Sequence, residues 1–282
     1  MNIRIIPRLD IKGDNLVKGI HMEGLRVLGK PEDFARYYYE TGADELIYMD
    51  AVASLYGRNS LFEIIEKTSK EIFIPLTVGG GLRTVEDIQK VLRAGADKVS
   101  INTAAIQRPE FISEASRRFG SSTIVVSIDA MRKTDGSYEA YTDYGRQKTG
   151  VDAVEWAKRV IELGAGELAI NSIDKEGTGH GFDLELVRRI SAFSTIPVIA
   201  CGGAGKIDDI REVIDDALAD AVCLASILHY EAVKHFNYRK NDFLAEGNVE
   251  FLFKSENAFG ATAVRIRDIK KALGEARTAC RT

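Results

Sequence analysis

Asp10 and Asp129 each close a short apolar run, IIPRLD at 5–10 and IVVSID at 124–129, and they lie 119 residues apart in a chain of 282. The spacing recurs along the whole sequence. Gly81 in VGGG and Gly203 in ACGG are offset by 122, Thr103 in VSINT and Ser226 in VCLAS by 123. Gly42 and Gly164, in TGADEL and LGAGEL, differ by 122, and Ala96 and Ala219 by 123. Two similar halves, each with an acid, a glycine turn and a small hydroxyl, restrict the chain to architectures that accept a two-fold internal repeat.

Within that repeat, two periodicities alternate. Short β-branched runs near 3–9, 44–50, 72–78, 97–101, 123–129, 167–172, 196–201 and 220–225 are bounded by glycine, proline or acidic residues and read as strands. Helical patterns lie between them, at 31–42, 84–95 and 151–164 for example, each running up to a glycine or ending on one. Eight βα units predict an α/β fold, a closed (β/α)8 TIM barrel over 1–237 with half-barrels at about 1–120 and 121–237, followed by an extension at 238–282. An open doubly wound sheet is the alternative, but it does not call for two matching halves with matching strand ends.

A net charge of −4 with both signs dispersed argues against a nucleic-acid or membrane partner. The opening MNIRIIPRLD has no leader-like apolar region, so a cytoplasmic location is expected. Cys201, Cys223 and Cys280 lack metal-ligand spacing, as do His21, His180, His229 and His235. No metal and no organic cofactor is expected, and Trp156 reads as core packing.

In a (β/α)8 barrel, chemistry collects where strands run into the loops of the C-terminal face. Asp10 and Asp129 would end strands one and five, on opposite sides of one mouth, where two carboxylates can divide the work of general acid and general base. A strand-end Asp that merely caps its loop is the structural alternative for either one alone. Gly79, Gly80 and Gly81, and on the other side Gly202, Gly203 and Gly205, let backbone amides approach an anion. Asn102, Thr103 and Ser226 end the neighbouring strands and add side-chain donors. One cradle per half suggests an elongated ligand with a phosphate at each end.

The segments RIIPRLDIKGDNLVKGIHMEGLR (4–26), LTVGGGLRTVEDI (76–88), GADKVSINTAA (95–105), VVSIDAMR (125–132), NSIDKEGTGHGFD (171–183) and IACGGAGK (199–206) resemble the cyclase subunit of imidazole glycerol phosphate synthase. The resemblance implies a barrel that takes ammonia from a separate glutaminase subunit and converts the two-phosphate substrate PRFAR into imidazole glycerol phosphate and AICAR. It assigns Asp10 and Asp129 as the acid/base pair and places Lys18, Asp50 and Ser172 at the mouth. Gly80, Gly81, Asn102 and Thr103 would hold one phosphate, and Gly177, Gly202, Gly203 and Ser226 the other. It also implies an ammonia gate of Arg4, Glu45, Lys98 and Glu167 at the barrel bottom, where the glutaminase would dock.

The chain departs from the family pattern at Arg8, where a small residue is usual, at Asn171 for threonine, at Glu176 for aspartate, and in the first loop at 24–33. These departures resemble a paralogous branch that supplies ammonia to a sugar amidotransferase in amidino-sugar formation. A non-catalytic barrel that only binds a glutaminase is a third expectation, which the retained acid pair opposes. In the tail, IRDIKKALGEA at 266–276 reads as an amphipathic helix, either packed on the barrel's side or serving as a docking arm.

Overall fold

The structure, a computed structural model, describes residues 2–53, 61–236, 262–275 and 280. All eight expected strands form. They are β1 (Arg4–Lys12), β4 (Leu46–Asp50), β5 (Leu76–Gly79), β6 (Lys98–Ile101), β7 (Ile124–Arg132), β10 (Glu167–Ser172), β11 (Val198–Cys201) and β12 (Ala221–Leu224), interrupted in sequence by the hairpin strands β2, β3, β8 and β9 described below. Each pairs in parallel with the next, and β10 pairs with β7 and β12 with β1, so the sheet closes on itself. The result is a (β/α)8 barrel, the arrangement expected from the repeat.

Helices pack outside the sheet. They begin where capping chemistry tells them to: Thr84 and Asp87 form a reciprocal capping box at the helix Val85–Arg93, with bonds of 3.1 and 3.0 Å. Asp152 caps Ala153–Glu162 with two bonds of 2.9 and 3.0 Å. Trp156 is buried in that helix, as expected.

Strand alternation fills the lumen in layers. On β1, residues 4, 6, 8 and 10 share the inward face. Arg4 lies at the bottom, and Ile6 joins Ile47, Val125, Ala169, Ile199 and Ala221 in an apolar plug above it. Arg8 follows, and Asp10 stands at the top, buried.

Two features are absent from the sequence reading. A hairpin of β2 (Asn15–Ile20) and β3 (Glu23–Gly29) follows β1, and a second, β8 (Tyr138–Thr142) and β9 (Gln147–Asp152), follows β7. The first makes 24–29, part of the expected first loop, strand, and the second takes 151–152, the start of the third helical pattern, into a strand. Both were hidden for one reason: the strands are short, and polar residues such as Asn15, Lys18 and Thr142 are buried in them, so they carry no continuous apolar run. Each insert follows the strand that bears an aspartate, which extends the two-fold repeat to the mouth.

The tail helix Ile266–Glu275 forms, and Ile266, Ile269 and Leu273 are buried in the main core. It is tied down by Lys270 Nζ to Asp44 at 2.8 Å and by Arg211 donating to the Ala272 carbonyl at 2.9 Å. This part of the extension packs on the barrel's side. Residues 237–261, 276–279 and 281–282 lie outside the described residues.

Candidate active site

Asp10 and Asp129 lie near the C-terminal ends of the first and fifth barrel strands, shortly before Lys12 and Arg132, on opposite sides of one mouth. Their surroundings differ. Arg8 Nε donates to Asp10 Oδ1 at 2.9 Å. Asp129 accepts instead from Asn102 Nδ2 at 3.0 Å and from Asn171 Nδ2 at 2.9 Å. Burial pushes the Asp129 carboxyl above the usual carboxylate range, against the opposing pull of Arg8 and the two amides. Burial works against the charge on Arg8, but Asp10 together with Tyr144, Cys223 and Asp129 outweighs it, and the guanidinium is held well above its ordinary value.

A cleft opens on each side of the mouth. One is lined by Asp50, Gly80, Gly81, Asn102, Thr103 and Asp129, together with Arg83 and Tyr144. The other is lined by Lys18, Glu176, Gly177, Gly202, Gly203 and Ser226. Arg8 lines both, so it sits on the floor between them. The glycine turns need glycine. Gly80 has φ +98°, and a Cβ there would stand 2.6 Å from the Asp50 carbonyl oxygen. Gly203 has φ +113°, and a Cβ would stand 2.1 Å from the Gly181 carbonyl oxygen.

Two residues expected at the mouth line neither cleft: Asp10, which is buried behind Arg8, and Ser172. Ser172 is buried, and its hydroxyl has no partner. Lys18 points to the second cleft but is engaged, bonding Glu176 and the Gly19 carbonyl. Burial opposes ionisation of Glu176, yet Lys18 holds its carboxyl below the usual range.

The inserts roof the mouth. Met22 N donates to Glu176 Oε2 at 3.1 Å, and His21 Nδ1 lies 2.8 Å from the Ile173 carbonyl oxygen. Met22 then packs with Tyr141 and Ile173, bridging the two hairpins. Tyr144, at the tip of the second insert, reaches the first cleft. Sequence reasoning missed it, although Asp143 (φ +52°), Tyr144 (φ +58°) and Gly145 (φ +74°) form the left-handed turn that TDYG signals.

At the opposite end of the barrel, the four charges at the strand starts form a closed ring. Arg4 Nη1 bonds Glu45 at 2.8 Å and Glu167 at 3.0 Å, while Lys98 Nζ bonds the same two carboxylates at 3.0 and 2.9 Å. No cluster with metal-ligand geometry occurs among the described residues, and no described helix is long and apolar enough to cross a membrane. His229 is fully buried, bonded through Nδ1 to Tyr38 Oη at 2.6 Å, and burial followed by the nearby Lys18 depresses it to about 3.

Fold and site together define a (β/α)8 barrel with an acid pair and two glycine-turn clefts facing one mouth. The family described as histidine biosynthesis protein matches residues 4–234, and the chain belongs to it. It is 58% identical over 208 residues to an imidazole glycerol phosphate synthase subunit HisF from Legionella pneumophila, covering 74% of this chain and 98% of that protein. Proteins of the same description from Alkaliphilus metalliredigens and Streptomyces avermitilis are 48% identical over 230 residues and 50% over 228. These matches cover 82% and 81% of this chain, and 91% and 90% of those proteins.

Proposed function

We infer that this chain is the cyclase subunit of an imidazole glycerol phosphate synthase, an enzyme of histidine biosynthesis. It takes ammonia from a glutaminase partner and converts PRFAR into imidazole glycerol phosphate and AICAR. The observation that carries this is the opposed pair Asp10 and Asp129 between two clefts built on glycine turns. A ligand with a phosphate at each end would span the mouth and lay its middle over both carboxylates. Incorporating ammonia and cleaving the substrate into two products both require proton transfers, which the pair can supply.

The ring of Arg4, Glu45, Lys98 and Glu167 is read as the gate on the ammonia path, with the glutaminase docked beneath it. A cytoplasmic location goes with this reading. The test is turnover of PRFAR by the purified chain at saturating ammonium, with Asp10→Asn and Asp129→Asn beside it. A large fall in turnover in either variant supports the assignment, and no turnover by the folded parent sinks it. A second reading, delivery of ammonia to a sugar amidotransferase, draws on Arg8, which places a cation on the mouth floor. It predicts no PRFAR turnover but glutamine-dependent amidination once that partner is added.

A further inference from the structure

Strand register makes the two aspartates counterparts with different neighbours. Asp10 lies opposite Met49 on β4, and Asp129 lies opposite Asn171 on β10. Asn171 donates to its aspartate, whereas the thioether of Met49 has no donor to offer. Two residues before each acid, on the same inward face, stand Arg8 and Ser127. Arg8 takes over the missing role, with its side chain only 10% exposed and its Nε on Asp10. One acid is therefore met by a charge and the other by two neutral amides.

The difference governs what each acid can do with a proton. A guanidinium has five donors and no acceptor, and its charge-assisted bond is at full strength only with an ionised carboxylate. A carboxamide carries both kinds of group. Asn102 Oδ1 and Asn171 Oδ1 are both buried without a partner. Rotation of the Asn171 amide would turn its oxygen toward Asp129 to accept a hydrogen bond from a proton carried there, while Asn102 stays fixed by its bond to the Tyr141 carbonyl at 3.1 Å. The second half-barrel can thus satisfy its acid in both protonation states, while the first is built for one.

We propose that Arg8 is a positioning residue acting through Asp10: it reserves Asp10 as the fixed negative charge of the mouth and leaves the transferable proton to Asp129. The proposal rests on the reading of the two aspartates as the catalytic pair and divides their roles: Asp129 moves the proton and Asp10 supplies the charge. The other charged or titratable groups around the pair are Lys18 on β2, Asp50 at the end of β4, Arg83 after β5, Tyr144 on the second insert, Glu176 after β10, and Cys201 and Cys223 on β11 and β12. Of these, Lys18 and Glu176 pair with each other.

A double-mutant cycle on PRFAR turnover at saturating ammonium tests the proposal, using Arg8→Met, which keeps the side chain's length, Asp10→Asn, and the two combined. Arg8→Met is expected to lower kcat on the order of tenfold to a hundredfold with KM little changed. Arg8→Lys should restore most of it, and Arg8→Met should cost nothing further once Asp10 is Asn. Equal losses in both backgrounds, or a change confined to KM, would overturn the proposal. A second readout needs no turnover: carbon-13 NMR of the Asp129 carboxyl in parent and variant. Loss of the Arg8 charge is expected to move its midpoint to higher pH, and an unmoved midpoint overturns the proposal. If Arg8→Met does not fold, Arg8→Gln carries the titration. Failure of the parent to use PRFAR would sink the functional reading, and the NMR result would still decide the part played by Arg8.

Discussion

The two ends of the barrel are both lined with charge, and they handle it in opposite ways. At the bottom, Arg4 and Lys98 each bond both Glu45 and Glu167, so every charge is answered by two of opposite sign. At the mouth, Asp129 is buried with only neutral donors bonded to it, and glycine turns line the two clefts. Desolvated charges are tolerable when paired and costly when not. The bottom is therefore arranged for persistence, and the mouth keeps a strained group in readiness for a ligand.

The sharpest way to break the contrast is Asp129→Asn. It should reduce ammonium-dependent kcat on the order of a thousandfold. Because burial raises this carboxyl in the fold, the folded state holds the proton more tightly than the unfolded chain. Its stability contribution is present at low pH and is lost as pH rises through the folded value. The variant should then melt higher than the parent at pH 8 and no higher at pH 4. Thermal unfolding at both pH values checks this, and a lower midpoint at pH 8 would contradict the account.

Lys98→Ala attacks the other end. Removing one cation leaves Glu45 and Glu167 sharing Arg4, at a cost of about 3 kcal/mol in denaturant unfolding. Glutamine-dependent turnover should collapse while ammonium-dependent turnover survives. Equal loss of both would remove the gate from the proposal.

A smaller effect comes from His229, a buried group that the fold keeps neutral beneath the mouth. Its pKa falls from 6.5 to about 3, so the unfolded chain binds the proton first, and stability is lost as pH drops below 6.5. At pH 5 the loss from this one residue is about 2 kcal/mol. His229→Gln should flatten the pH dependence of unfolding between 6.5 and 5, and an unchanged slope would discount the residue. Smallest is Ser226→Ala, which removes one donor from the second cleft. It is expected to raise KM for PRFAR about fivefold, roughly one hydrogen bond, with kcat unchanged. A fall in kcat instead would give Ser226 a part in the chemistry.

The sequence by itself determined the architecture, because a barrel strand buried on both faces must be an apolar run, and eight such runs in two matching sets leave one closed arrangement. It also marked Asp10, Asp129 and both glycine turns, since strand ends on one face of a barrel converge whatever the loops do. The tertiary structure alone decided which side chains meet across the lumen. Asn102 and Asn171 reach Asp129 from two different strands, and Met49 stands where a third amide would have served Asp10; such meetings follow from register between distant segments, which no local pattern encodes. The inserts roofing the mouth escaped for the related reason that β2 and β8 are placed by backbone pairing to β1 and β7, and their few core residues, such as Leu16 and Tyr138, make no continuous apolar run.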